Sequence, residues 1–297
     1  MLINTEPKPN IRLALKVSDL SVGAWYDRRS LKTDKCKPGP KSVYSDVEVL
    51  QALRKYIAEP IFYLEGYKKL KVRLKEEYGI DVGKERLRRI MTENELLCHQ
   101  KNRSHPLRYH HDGKIITDCP NQIWGMDIKE FHTCIGKIYL FDISDHFNSE
   151  IKGWYVNTTS NANDAMQALR NAVRAEFGNV AKDVCKGTNL KLRVDHGTQF
   201  DSKAFEDELN FLSILKSSAF VRSPQSNGVI ERFHRTLKEQ LTLINTFKNI
   251  DEIHQNIHTF VAKYNQKWLL HRLKLQSPLK YKEGNPSGNT EPEGVRH

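Results

Sequence analysis

The sequence predicts a mixed α/β domain preceded by a small all-α one. Three observations carry this reading. Between Ile123 and Asn157 three short β-rich runs follow one another, each bounded by Gly, Asn or Asp. From Asn163 onward helical and strand-like patterns alternate, and residues 45–97 hold helical periodicity alone. A chain of 297 residues has room for two or three such domains with a sizeable core.

Residues 1–44 contain one apolar helix candidate, Ile11 to Trp25, and then a basic linker in which Pro38-Gly39-Pro40 cannot continue a helix. In the 45–97 segment, Ser45 caps a helix with Val47, Leu50, Leu53 and Ile57 as its apolar face, ending before Pro60. A second helix spans Tyr67 to Tyr78 and stops at Gly79. The third, Lys84 to Glu95, carries Leu87, Ile90 and Met91 on one face and Lys84, Arg86, Arg88 and Arg89 around the other. A basic third helix suits a helix-turn-helix whose last helix meets DNA; charge alone favours a solvated face. Residues 98–119 are basic and His-rich, with Arg103 and Arg108, and read as a linker lying along DNA. Cys98, His99, His110, His111 and Cys119 lack the tight spacing of a closed zinc site.

The α/β domain is expected over residues 120–268. Its strands are Ile123–Lys129, Lys137–Ser144 and Glu150–Asn157, followed by a helix from Asn163 to Phe177 that buries Ala165, Met166, Leu169, Ala172 and Val173. Strand Leu190–Asp195, helix Ser202–Leu209 and strand Phe211–Leu215 come next, then a helix running to about Asn245 and another from Ile250 to Tyr264. Residues 269–297 read as a C-terminal tail, rich in Gly, Pro and Glu from 284.

Chemistry gathers at three carboxylates. Asp127 interrupts a strand-like run, where a charge is rare without a partner. Asp195 ends another such run before Gly197, and Glu231 follows it after 35 intervening residues, at a helix start. Carboxylates on separate elements suit two hard divalent cations, Mg²⁺ with Mn²⁺ as a substitute, shared between attacking and leaving oxygens. Lys238, seven residues after Glu231, falls on the same face of a continuous helix and would hold phosphate. Asp145 reads as structural, His196 as a neighbour of the site. There is no P-loop and no nucleophile triad, so ATP dependence is not indicated.

In Asp195-His196-Gly197-Thr198-Gln199-Phe200, in Ser226-Asn227-Gly228 before Glu231, in the 35-residue spacing and in Lys238, the chain resembles the DDE recombinases with a retroviral-integrase-like core. Among them it is most similar to the second-frame, OrfB-type transposases of the third insertion-sequence family, over roughly residues 45–285. The resemblance implies an RNase H-like sheet, an integrase-associated helix-turn-helix, and strand cleavage and strand transfer at terminal inverted repeats, with Asp127, Asp195 and Glu231 as catalytic metal ligands. It implies double-stranded element-end and target DNA as partners, a homo-oligomeric synaptic complex, and fusion to an upstream reading-frame product. The chain has no sustained heptad run to supply a zipper of its own. It departs from the family at Trp268-Leu269-Leu270, where Arg-Pro-His is usual, with His271 one place late. An inactive DNA-binding regulator and an RNase H-like nuclease are the alternative readings.

Composition agrees with a polyanionic partner. The formal charge is +11, and residues 1–119 hold 24 basic against 16 acidic side chains, so +8 lies there. With no apolar run long enough to span a bilayer, no signal-peptide order and five scattered cysteines, the sequence reads as a cytoplasmic, nucleoid-associated bacterial protein.

Overall fold

The computed structural model describes residues 43–97, 117–195, 197–218, 228–242 and 247–285. The chain divides into two compact units, Met1–Ser45 and Asp46–His297. The helix expected at Ile11–Trp25, the linker residues Arg103 and Arg108, the Cys98/His99/His110/His111 cluster, His196 and the Ser-Asn part of the motif before Glu231 all lie outside the described residues.

Helices α1 (Asp46–Ala58), α2 (Tyr67–Tyr78) and α3 (Lys84–Glu93) open the second unit. Gly79 ends α2 in the left-handed region at φ 68°, where only glycine enters without strain. The buried face of α1 is Val49, Leu53 and Tyr56; of the expected one Leu53 is buried and Leu50 half-buried, while Val47 and Ile57 are 62% and 40% exposed. Both stripes have helical spacing, and packing of α1 against α2 and α3 selects between them.

The sheet comprises β1 (Ile123–Thr133), β2 (Gly136–Asp145), β3 (Ile151–Asn157), β4 (Lys191–Val194) and β5 (Leu215–Ser218) in the order β3-β2-β1-β4-β5. The first three strands form an antiparallel meander, and β4 and β5 run parallel to β1. This is the RNase H-like arrangement, an α/β fold. Strands β1 and β2 are longer than the sequence pattern suggested because pairing continues to Thr133↔Gly136, past the apolar residues.

One face of the sheet, with Trp124, Met126, Phe141 and Ile143, is covered by α4 (Ala162–Phe177) and α5 (Lys203–Leu212). Asn161 and Asp164 close a reciprocal capping box at the start of α4, and Ser202 caps α5. The expected strand Phe211–Leu215 is corrected here. Phe211 and Leu212 complete α5, Ser213 turns the chain at φ 60°, and β5 begins only at Leu215. An apolar pair after a helix is read equally well as its last turn, and burial of Leu212 decides it.

The other face, with Phe131, Ile138, Leu140 and Val156, packs against α6 (Gly228–Leu237) and α7 (Ile250–Lys267). The expected helix to Asn245 stops being α-helical at Leu237 and widens into a π turn, Lys238–Thr242. Residues 269–285 are packed onto the domain rather than forming a tail. Leu269, Leu270 and Leu273 are buried, Arg272 donates to the carbonyls of His146 and Phe147, and α8 (Pro278–Gly284) follows. Trp268 meets Phe62 edge-on at 4.7 Å and stacks near Tyr264, so the departure at Trp268-Leu269-Leu270 serves the core.

Gly153 of β3 sets how closely α4 lies on the sheet, since a Cβ there would overlap the Ala172 backbone. Gly153→Ala is therefore expected to destabilise the fold by about 1 to 3 kcal/mol. Urea denaturation measures this, and an unchanged midpoint would show that α4 can move outward at no cost.

Candidate active site

The site forms on the sheet face covered by α6 and α7. Parallel pairing sets Gly125 beside Arg193, so Asp127 on β1 and Asp195 just past the end of β4, each two residues further along, fall on the same side of the sheet. Asp127 also lies directly opposite Asp142 in the antiparallel β1–β2 ladder. Two carboxylates facing each other across a ladder repel. The cation between them comes from α6: His234 Nε2 stands 2.6 Å from Asp142 Oδ1, and its Nδ1 3.7 Å from Asp127 Oδ2.

Burial separates the roles of these groups. Asp142 has no exposed surface, and its Oδ2 has no hydrogen-bond partner. Burial raises its carboxyl above the ordinary range. Burial alone would lower His234, but the Asp142 contact and the nearby Asp127 outweigh it and hold the imidazole above its usual value. Both shifts mean that the pair retains its proton. Asp127 is pushed up to about 6, chiefly by burial, with His234 opposing and Asp142 and Asp195 adding repulsion. Its Oδ1 accepts from the amide of Ile128 at 2.9 Å. Asp195 is exposed and accepts from the amide of Gly197 at 3.2 Å, a local turn that fixes its position.

Glu231 is exposed in the first turn of α6, three residues before His234 and so on the adjoining part of the same helix face. Among the described residues no three His, Cys, Asp or Glu side chains converge closely enough to hold a metal ion. The structure thus brings Asp127 and Asp195 together and leaves Glu231 outside a closed ligand set. Carboxylates repel unless a cation or proton lies between them, and the cation at Asp127 here is His234. The donors nonetheless fit a hard divalent ion: they are oxygens, and His234 compensates the buried charge on Asp127 only in part.

The basic residues expected to face DNA divide into two groups. Asp46 pairs with both Arg86 and Arg89, Arg89 also reaches Glu93 at 3.0 Å, and Lys84 lies 3.3 Å from Glu85. The side chain of Arg88 has no such partner among the described residues. Lys238 is exposed at the start of the π turn, so the uninterrupted helix that would align it with Glu231 is absent. Asp145 is structural, as its sequence context suggested: it accepts from the amides of Asn121 and Phe147, both at 2.8 Å. His234 and Asp142 were missed as site residues. The signal was present, since a histidine on the buried side of α6 and an aspartate inside an apolar strand each require a partner.

Two family models, both described as "Integrase core domain", match residues 117–224 and 214–271. An uncharacterized transposase-like protein of Haemophilus influenzae is 28% identical over 163 residues, covering 55% of this chain and 71% of the relative. The transposase InsD for insertion element IS2 of Escherichia coli is 26% identical over 258 residues, covering 84% of this chain and 83% of its own. The simian T-cell lymphotropic virus intasome structure aligns at 16% identity with a TM-score of 0.48, covering 83% of this chain and 78% of that one. No described helix is long and apolar enough to cross a membrane.

The raised Asp127 and His234 have a common sign. A carboxyl held at about 6 binds its proton more tightly folded than unfolded, so its contribution to stability is present at low pH and lost as pH rises from about 4 through 6. His234 adds stability that is complete below its unfolded value and is lost as pH rises through its raised folded one. In chelator at pH 8, Asp127→Asn should therefore be more stable than the parent protein, by between about 1 and 3 kcal/mol. Denaturation curves at pH 5 and pH 8 test the sign, and a variant less stable at pH 8 would show that the Asp127 charge is well compensated.

Proposed function

The chain belongs to the integrase-core family, as a DDE transposase of the insertion-sequence OrfB type, and on that premise we propose that Asp127, Asp195 and Glu231 are its catalytic carboxylates. The reaction is DNA strand cleavage at element ends followed by strand transfer into target DNA. The observation that carries this reading is the register of β1 and β4, which sets Asp127 and Asp195 side by side on the face where α6 docks.

The three carboxylates would hold divalent cations, two Mg²⁺ ions with Mn²⁺ as a substitute. When bound, these ions supply the Lewis-acid charge that activates water or a 3′-hydroxyl and steadies the leaving oxygen. The protein contributes placement. Asp142 fixes His234, His234 fixes α6 against Asp127, and Glu231 is one turn away on that helix. His234 is accordingly a positioning residue, committed to two carboxylates and not available as a general base.

Helices α1–α3 fit a helix-turn-helix that binds element ends, with double-stranded DNA as substrate and a homo-oligomer pairing the two ends at the nucleoid. An upstream reading-frame product fused to the chain would supply the pairing contacts. Paired-end assembly by the isolated chain and by the fusion at equal concentration distinguishes this from pairing through the chain alone.

Asp127→Asn, Asp195→Asn and Glu231→Gln should each reduce Mg²⁺-dependent nicking and joining of element-end DNA at least about a thousandfold while leaving DNA binding intact. Near-parental strand transfer by any one of them would remove that residue from the ligand set. His234→Ala should lower the rate and raise the Mg²⁺ concentration needed for half-maximal activity. An unchanged Mg²⁺ dependence would reduce His234 to a packing role.

A further inference from the structure

Helices α2 and α3 and the turn after α7 border an open cavity of about 600 Å³. Lys68 and Lys69 from the first turn of α2, Arg88 from α3 and His271 from the closing turn all line it, and among the described residues no Asp or Glu does. None of these four side chains makes a hydrogen bond or ion pair among the described residues. Lys69 instead lies over the Trp268 ring, 3.2 Å from its centroid. The other bases of α3 behave differently, since Lys84, Arg86 and Arg89 are engaged by Glu85, Asp46 and Glu93. Cations gathered in one cavity repel each other, and for Lys69 the carboxylates of Glu65 and Glu239 act in the opposite sense. Burial draws Lys69 down to about 8, and burial with Lys68 and Lys69 lowers His271. Helix α2 adds the same sign of charge, because it starts at Gly66 without a side-chain cap and without an acid in its first turn.

An anion would relieve this repulsion, and at about 600 Å³ the space is larger than one phosphate ion needs. We propose that this cavity binds the phosphodiester backbone of duplex DNA, with Lys68, Lys69, Arg88 and His271 as the contacts. The assignment deepens the reading of the chain as an enzyme acting on DNA and rests on it. Of the four basic residues expected of α3, Lys84, Arg86, Arg88 and Arg89, it keeps Arg88 as the contact, and it brings the closing turn into DNA binding through His271.

The test uses the full chain with two fluorescent duplexes, one carrying an element end and one of unrelated sequence, titrated over a range of salt. Lys68 and Arg88 are exposed, so Lys68→Gln/Arg88→Gln should fold normally. It should weaken binding to both duplexes by about tenfold and flatten the slope of log affinity against log salt by about 1.8, as expected for two lost phosphate contacts. Lys71→Gln/Lys75→Gln removes the same charge from the side of α2 paired with Asp81, and should leave affinity and slope near parental values. Equal effects of the two double variants would overturn the site in favour of diffuse charge. So would competition by inorganic phosphate with no effect of Lys68→Gln/Arg88→Gln on duplex binding, which would mark a small-anion site. The parental protein's Mg²⁺-dependent nicking is scored alongside. Loss of the transposase reading would appear as no nicking by any form, whereas failure of this site would appear as nicking with binding indifferent to Lys68 and Arg88.

Discussion

The contact between His234 and Asp142 is the constraint on which the site depends. The β1–β2 ladder sets Asp127 against Asp142, two negative charges in a half-buried sheet, and the sheet alone offers neither of them a counter-charge. Helix α6 supplies it. Because the histidine is buried and held at 2.6 Å, the helix cannot rotate or slide without exposing two carboxylates to each other in a poorly hydrated space. The hydrophobic packing of Phe233 and Leu237 is non-directional and would tolerate small displacements; the His234 contact selects one position among them. Glu231 inherits that position from three residues away.

Much of this was legible in the chain and some of it was not, for physical reasons. Asp127 and Asp195 stand out because each is a charge ending or interrupting a β-prone run, and parallel pairing then makes them neighbours without further information. Gly79, Gly178 and the Asn161 cap mark helix ends by local chemistry, which is why α2 and α4 fall where the pattern put them. The buried stripe of α1 could not be chosen locally, since Val47 and Val49 belong to two stripes of equal periodicity and only the neighbouring helices distinguish them. The pairing of Arg86 and Arg89 with Asp46 spans about forty residues of sequence and is a product of tertiary structure. Nothing in the composition of α3 tells a paired arginine from an unpaired one.

The helical module is not an appendage held by its linker. Arg73 of α2 and Glu65 before it form an ion pair with side chains 3% and 1% exposed, and Arg73 also donates to the carbonyl of Lys267 at the end of α7 at 2.6 Å. Phe62 packs against Trp268 at the same junction. A buried pair of this kind contributes little net stability, because removing two charges from water costs about as much as their attraction returns. Its value is geometric: a guanidinium with three fixed acceptors has few ways to sit, so α2 and α7 share one arrangement.

That arrangement gives the substitution at Trp268-Leu269-Leu270 its physical sense. An arginine and a histidine in this turn would sit beside Lys68 and Lys69 and increase a repulsion that already lowers His271. An indole and two leucines bury the turn instead, and the indole face accepts Lys69, whose ammonium makes no ion pair among the described residues. The turn presents His271 at its exposed end, while its next residue, Arg272, is consumed in holding the carbonyls of His146 and Phe147 just past β2. One short segment therefore ties the strand that carries Asp142 to the helix that carries Lys68 and Lys69. DNA bound at the module would be linked to the sheet that carries the carboxylates through the contacts of Arg73 with Lys267 and of Phe62 with Trp268.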